Sequence, residues 1–384
     1  MVETKELSIS CMCGATQHTF SVPTTSLPLP THLCSCDISR RISGSLLTSY
    51  VNITHDFESP RPDLTTLTPY ESSHILTRHF CSTCGTQTYL EYRHDGHFEA
   101  ATGTFQVENT DGLIEQKAHI WIDDTHDGGA SQFITQINEK QLGRFHQEPG
   151  EGEEIQPSWT APSTSTDDVE GSKSIYAHCH CKGVEFHISP PNEASKVAQS
   201  DYPDLMVPYH SGDSRNPTNN PWWLPRHDRF LAGTCACVSC RRASGFDITF
   251  WAFIPATNIT QDAAGTIPFS RSPYWGTMKT YQSSKGVTRT FCSRCGANVF
   301  WDCDWRKGLV DVAIGLLDAP SGARAEEILA WWPGRVSFEE FALHRGLIRG
   351  LEEGLKTWAG KNEGAEYVAN GKFPVLVEKD ERQQ

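Results

Sequence analysis

The sequence predicts a mainly β protein built from two tandem antiparallel β domains, and three observations predict it. The chain has 384 residues, too long for one small domain. Thr, Val, Phe, Tyr and Trp are frequent, and 30 Gly and 22 Pro punctuate the chain, which favours many short strands over long helices. The sequence also repeats itself: three cysteine-bearing blocks of the first half recur in the same order in the second.

The blocks align without internal gaps, except at the first. Cys11-Met-Cys13-Gly14 matches Cys179-His-Cys181-Lys-Gly183. Cys34-Ser-Cys36-Asp-Ile-Ser39-Arg40-Arg41 with Ser43-Gly44 matches Cys235-Ala-Cys237-Val-Ser-Cys240-Arg241-Arg242 with Ser244-Gly245. Tyr70 through Arg78, Phe80, Cys81, Cys84 and Gly85 matches Tyr281 through Arg289, Phe291, Cys292, Cys295 and Gly296.

Residues 1–146 then form the first domain and 175–360 the second. Gln147 to Ser174 is rich in Glu, Gly, Pro, Ser and Thr and reads as a flexible linker; 361–384 reads as a polar tail. The runs Ile248–Ile254 and Ala297–Trp301 read as strands. Helices are expected only at Ala323–Ile328 and Ser337–Trp358. The second half also carries an insertion, about Tyr202 to Phe230, holding Pro221-Trp222-Trp223-Leu224-Pro225. It reads either as a lid or as a loop buried against its own domain.

The formal net charge of −14 repels phosphate backbones, so a nucleic-acid partner is not expected. No stretch approaches the roughly 18 apolar residues a membrane helix needs, and the first residues hold no apolar signal core. A cytoplasmic protein is expected, with thiols that are free or metal-bound rather than paired as disulfides.

A Cys-x-x-Cys turn presents two thiolates to one ion, the following Gly lets the backbone turn around it, and a distant Cys-x-Cys pair supplies two more. Cys11, Cys13, Cys81 and Cys84 form one four-sulfur zinc site; Cys179, Cys181, Cys292 and Cys295 form a second. Such sites are closed and structural. Cys235, Cys237 and Cys240 are different, because three protein ligands leave zinc an open position where an incoming thiol can bind and lose its proton. Arg241 and Arg242 follow and either pair with the carboxylates of an anionic thiol or solvate the surface. In the first half Ser39 stands where Cys240 stands, so Cys34 and Cys36 are expected to make a weak or empty site, with Asp37 or His32 as substitute ligands. About three zinc ions per chain follow. Cys303 reads as a small buried hydrophobe, and His178 and His180 as outer-sphere or solvent-facing groups.

These motifs resemble the glutathione-dependent formaldehyde-activating enzyme family, also named for centromere protein V. The resemblance rests on Cys-x-Cys-Gly, on Cys-x-Cys-x-x-Cys-Arg with Ser-Gly, and on Phe-Cys-x-x-Cys-Gly. It covers nearly all of both halves, Ala118–Asp123 included, and departs from the pattern at Lys182 and Ser39. It implies Mss4-like folds around structural zinc, and carbon–sulfur lyase activity joining glutathione to formaldehyde or another small aldehyde. It also implies Cys235, Cys237 and Cys240 as catalytic zinc ligands and Cys179, Cys181, Cys292 and Cys295 as structural ones. The fold also serves as a zinc-stabilised binding module without catalysis, which is the alternative reading.

Overall fold

The computed structural model describes residues 3–54, 61–157, 159–161, 174–226 and 228–362. It is mainly β, and most strand pairs are antiparallel. In the first half a five-stranded sheet runs in the order Tyr50–Asn52, Phe98–Ala101, Gln87–Tyr92, Leu76–Cys81, Leu67–Glu71. The second half repeats that sheet as part of a larger one, in the order Met278–Ser284, Val287–Cys292, Asn298–Cys303, Leu309–Ala313, Thr249–Pro255, Phe230–Cys235, Leu329–Trp331. Two departures from antiparallel pairing correspond between the halves: Leu29–Cys34 runs parallel to Ile114–Ile120, and Phe230–Cys235 runs parallel to Leu329–Trp331. The run read as a buried strand is one: all of Thr249–Pro255 is buried, at the middle of the large sheet.

The helices differ from expectation. Two short ones begin immediately after a cysteine: α1 spans Asp37–Ser43 and α2 spans Val238–Ser244. The thiols of Cys36 and Cys237 act as the N-caps, accepting from the N–H of Ser39 (3.3 Å) and Cys240 (3.4 Å). Each is seven residues long and carries little amphipathic signal, which is why periodicity passes over both. Ala323–Ile328, expected to be helical, is a set of turns, held where the Arg324 guanidinium donates to the carbonyls of Asp127 and Gly129. The expected helix Ser337–Trp358 begins later and ends later, as α3, Arg345–Asn362. It buries Leu347, Leu351, Leu355 and Trp358 at helical spacing.

The halves share one core. Leu33, Leu46, Phe133 and Ile134 of the first lie in the same buried cluster as Phe250, Val312 and Leu351 of the second. Their contact has a near-twofold pattern. The N–H of Gly103 donates to the carbonyl of Gly245, and the N–H of Gly315 to that of Gly44, both at 3.0 Å. The arginines depart from that pattern: the Arg41 guanidinium reaches the Leu316 carbonyl, whereas Arg241, the counterpart of Arg40, reaches the carbonyls of Gly103 and Phe105. Phe80 and Phe291 meet edge to face at 6.4 Å. His180, read as outer-sphere or solvent-facing, instead bonds the Tyr70 hydroxyl across the boundary at 2.6 Å.

Of the linker, 162–173 lies outside the described residues, as does 363–384 of the tail. Ahead of that segment, Ile155 is buried and its N–H donates to the Arg144 carbonyl.

A Cβ at Gly103 would stand 2.5 Å from the Arg241 carbonyl oxygen, and backbone cannot step aside. Gly103→Ala should therefore cost about 2–3 kcal/mol in denaturant unfolding. Gly360→Ala, in open space on α3, should be neutral or stabilising by less than about 1 kcal/mol. Equal effects would show that the boundary is not close-packed.

Candidate metal centres and the adjoining pocket

The eight cysteines assigned to closed sites come together as two quartets. The sulfurs of Cys11, Cys13, Cys81 and Cys84 all lie within 4.8 Å of one another, as do those of Cys179, Cys181, Cys292 and Cys295. Individual separations are 3.5 Å for Cys11–Cys13 and Cys181–Cys292, and 3.6 Å for Cys13–Cys81 and Cys179–Cys181. Four sulfurs about 2.3 Å from one ion stand about 3.8 Å apart, so the donor set fits tetrahedral zinc. Backbone N–H groups aim at the sulfurs, as they would at thiolates: Thr16 at Cys11 (3.2 Å), Val184 at Cys179 (3.3 Å), Arg294 at Cys292 (3.4 Å). Gly85 and Gly296 follow the second cysteine of each turn at φ +77° and +74°. Each also abuts a phenylalanine of the other half, so the turn that shapes a metal site is packed against the boundary.

The sulfurs of Cys235, Cys237 and Cys240 form a third cluster, with no fourth Cys, His or carboxylate in the group among the described residues. The strand Phe230–Cys235 delivers the first and the N-terminal turn of α2 the other two. Arg289 is the residue sequence reasoning missed. It is fully buried, and its guanidinium donates to the Cys240 sulfur at 3.2 Å and the Ser239 hydroxyl at 2.9 Å. Burial works against its charge, but the neighbouring thiolates of Cys240 and Cys237 outweigh that and hold its pKa above the ordinary value. The Cys237 thiol is held well below its usual range, first by the Cys235 and Cys240 sulfhydryls and then by Arg289, against burial. The signal was there: an arginine three residues before Cys-x-x-Cys occurs in both repeats, as Arg78 and Arg289.

The first half shows what remains when the third thiol is gone. Arg78 donates to the Ser39 hydroxyl (3.1 Å), which in turn donates to the Cys34 sulfur (3.5 Å). Cys36 is lowered to about 6, by Cys34 first and then by Arg78. Neither proposed substitute joins the pair: among the described residues no His or carboxylate groups with Cys34 and Cys36. Asp37 pairs instead with Arg40.

The three-cysteine cluster lines a pocket of about 420 Å³. Strand register builds one wall. Arg289 stands opposite Trp301, Trp301 opposite Asp311, and Asp311 opposite Phe253, so the four side chains share one face of the sheet. The insertion builds another wall, through Tyr202, Asp204 and Tyr209. Its two tryptophans are not a lid. Trp222 and Trp223 are buried, with indole N–H groups donating to the carbonyls of Asp201 and Ser195 at 3.0 Å, and they anchor the insertion. Arg241, expected as a carboxylate contact, is committed to the inter-half carbonyls and does not line the pocket. Arg242 lies in an adjoining depression beside Cys237 and Ser239. Cys303 is buried, and burial raises its thiol to about 11, in keeping with an inert side chain.

The two kinds of cluster should respond differently to loss of one sulfur. Cys292→Ser removes a ligand from a buried quartet that the Val287–Cys292 strand depends on, and should unfold the second half. Cys240→Ser should leave near-native circular dichroism and lower the bound metal by one ion. Equal loss of structure in both variants would merge the two classes.

Among the described residues no helix is long and apolar enough to cross a membrane. A comparison with curated proteins finds no matching relative. The family model for the glutathione-dependent formaldehyde-activating enzyme matches residues 6–124 and again 226–333, over half of the chain. With the repeated cysteine blocks, this places the chain in the glutathione-dependent formaldehyde-activating enzyme family, as a tandem of two such domains.

Proposed function

We propose that the second half is a zinc-dependent enzyme of the carbon–sulfur lyase type, in which a thiol docks beside Cys235, Cys237 and Cys240 and adds to a small aldehyde. The observation that carries this reading is the three-sulfur cluster lining an open pocket, where the quartets are filled by protein sulfur alone. Zinc held by three thiolates supplies an open position at which a thiol is acidified. Arg289 offsets negative charge gathered on the sulfurs, and the Ser239 hydroxyl fixes its orientation. The walls hold the two reactants together. One carbon–sulfur bond forms, the carbonyl π bond opens, and the thiol proton ends on the carbonyl oxygen, giving a hydroxyalkyl thioether. The reverse reaction breaks the same bond. Glutathione and formaldehyde are the pair the family name supplies, and three ions per chain is the proposed zinc content, one for each cluster.

The second reading is a zinc-stabilised binding module, and Ser39 favours it for the first half, where the third thiol is missing. The division of labour we propose follows the repeat: residues 1–146 as scaffold and 175–360 as the reactive unit.

Thiol–formaldehyde exchange followed by NMR line-shape should be accelerated by the zinc-loaded chain and lose at least about tenfold in Cys240→Ser. An unchanged rate in that variant sinks the catalytic reading. Ser39→Cys should raise the zinc content by one ion. A constant zinc content in that variant would mean that the first half cannot complete the site even with the ligand restored.

A further inference from the structure

We propose that the pocket of the second half selects an uncharged substrate with a flat apolar body, such as an aromatic thiol or its aldehyde adduct, over glutathione. The sulfur end of this inference rests on the thiol-docking reading above; the apolar end rests on the walls alone.

Glutathione carries two carboxylates and one ammonium group at neutral pH. Each carboxylate taken out of water needs a cation or several donors in return. The pocket has little to offer. Among the described residues its basic lining residues are Arg289 and Arg306, against three carboxylates, Asp201, Asp204 and Asp311, and the adjoining depression adds Arg242 alone. Arg289 is committed to the Cys240 sulfur and Ser239. Arg306 is paired with Asp311, with both side chains about nine-tenths buried. It also lies over the rings of Trp301 (4.8 Å), Phe253 (5.6 Å) and Trp222 (5.8 Å). Asp204 accepts from the N–H groups of Tyr209 and Phe338 and from the Ser337 hydroxyl. The charges of Arg306, Asp311 and Asp204 are thus met within the protein. Asp201 is exposed and accepts from the Asn216 N–H. Arg289 uses one nitrogen on its two partners, while its Nε and Nη1 are buried. The chain as a whole is acidic.

What the pocket presents instead is ring surface. Trp251, Phe253, Trp301 and Phe338 line it. Tyr209, 74% exposed, and Trp305, 58% exposed, stand at its rim. Val238 and Phe341, also exposed, line the adjoining depression, which shares Cys237, Ser239 and Phe338 with the pocket. Thus four of the seven large hydrophobic side chains exposed among the described residues gather at one opening. Such a concentration marks a surface that an apolar partner covers. The first half builds the same strands without these rings. In the same register Leu90 takes the place of Trp301, and Asn52 the place of Phe253.

The test uses the full-length chain loaded with cobalt, whose absorption reports a sulfur reaching the metal, together with tryptophan fluorescence. The probes are phenylmethanethiol, glutathione, and benzyl alcohol, which has the ring but no thiol. Phenylmethanethiol should bind at least about tenfold more tightly than glutathione, and benzyl alcohol should quench fluorescence saturably. Trp301→Ala should erase most of that preference, weakening phenylmethanethiol at least about tenfold more than it weakens glutathione. Trp305→Ala, at an exposed rim position, should weaken phenylmethanethiol about threefold. Glutathione binding as tightly as phenylmethanethiol, with that affinity lost in Arg242→Met, overturns the inference and leaves thiol docking intact. Saturable quenching by benzyl alcohol with no cobalt response to either thiol overturns thiol docking and leaves the ring preference standing. No saturable quenching by either ring compound overturns the preference outright.

Discussion

Eleven cysteine sulfurs gathered into three clusters, most of them buried, set the terms for this molecule. Thiolates this close repel one another, and burial removes the water that would screen them. The clusters could hold a metal ion that would offset that repulsion, and the backbone N–H groups around the quartets are placed as if the sulfurs were charged. Each quartet joins a hairpin near the start of its half to a turn far along the sheet, so an ion held there would tie metal binding to formation of the sheet. The three-cysteine cluster adds a second solution to the same problem. Arg289 is a protein cation that donates to one sulfur of the cluster, and the residues of all three sulfurs line the pocket.

The second constraint is the boundary between halves. Two short helices end at Gly44 and Gly245, whose carbonyls are capped by Gly315 and Gly103 of the other half. The same helices begin with Cys36 and Cys237. A contact that fixes one end of each helix therefore fixes the sulfurs at its other end. This gives the first half a reason to persist after losing its third thiol. It supplies the surface against which α2 is set, and through Phe133 and Gln136 the seat of α3.

Much of this was legible in the sequence because the chain states it twice. Duplication separates the quartet cysteines, present in both copies, from Cys240, present in one, and the family assignment follows from the same blocks. The strands around the cysteines were readable from apolar runs. What was not legible depends on contacts between distant parts of the chain. The roles of Arg241 and His180 are set by carbonyls and a hydroxyl of the other half, which no local pattern encodes. Helices α1 and α2 are too short for periodicity and use a cysteine as cap, where the usual signal is Ser, Thr, Asp or Asn. Ala323–Ile328 has helix-forming residues but is claimed by Arg324 reaching into the first half, a tertiary override of propensity. Arg289 was visible as a repeated arginine, yet only the fold puts it on a sulfur.

The two copies amount to a comparison made within one molecule. Across four strands the second half sets Arg289, Trp301, Asp311 and Phe253 in register, and the first sets Arg78, Leu90, Glu99 and Asn52. The arginine and the acid are kept in kind, and both acids are raised by burial, Asp311 to about 6 and Glu99 to about 7. An arginine beside the Cys-x-Cys helix and an acid raised by burial two strands away are thus common to both copies. The two rings and the third thiol differ together, and the insertion that walls the pocket occurs in the same half. The differences between the copies thus gather at the pocket of the second half, while the arginine and the acid of the shared sheet stay in place.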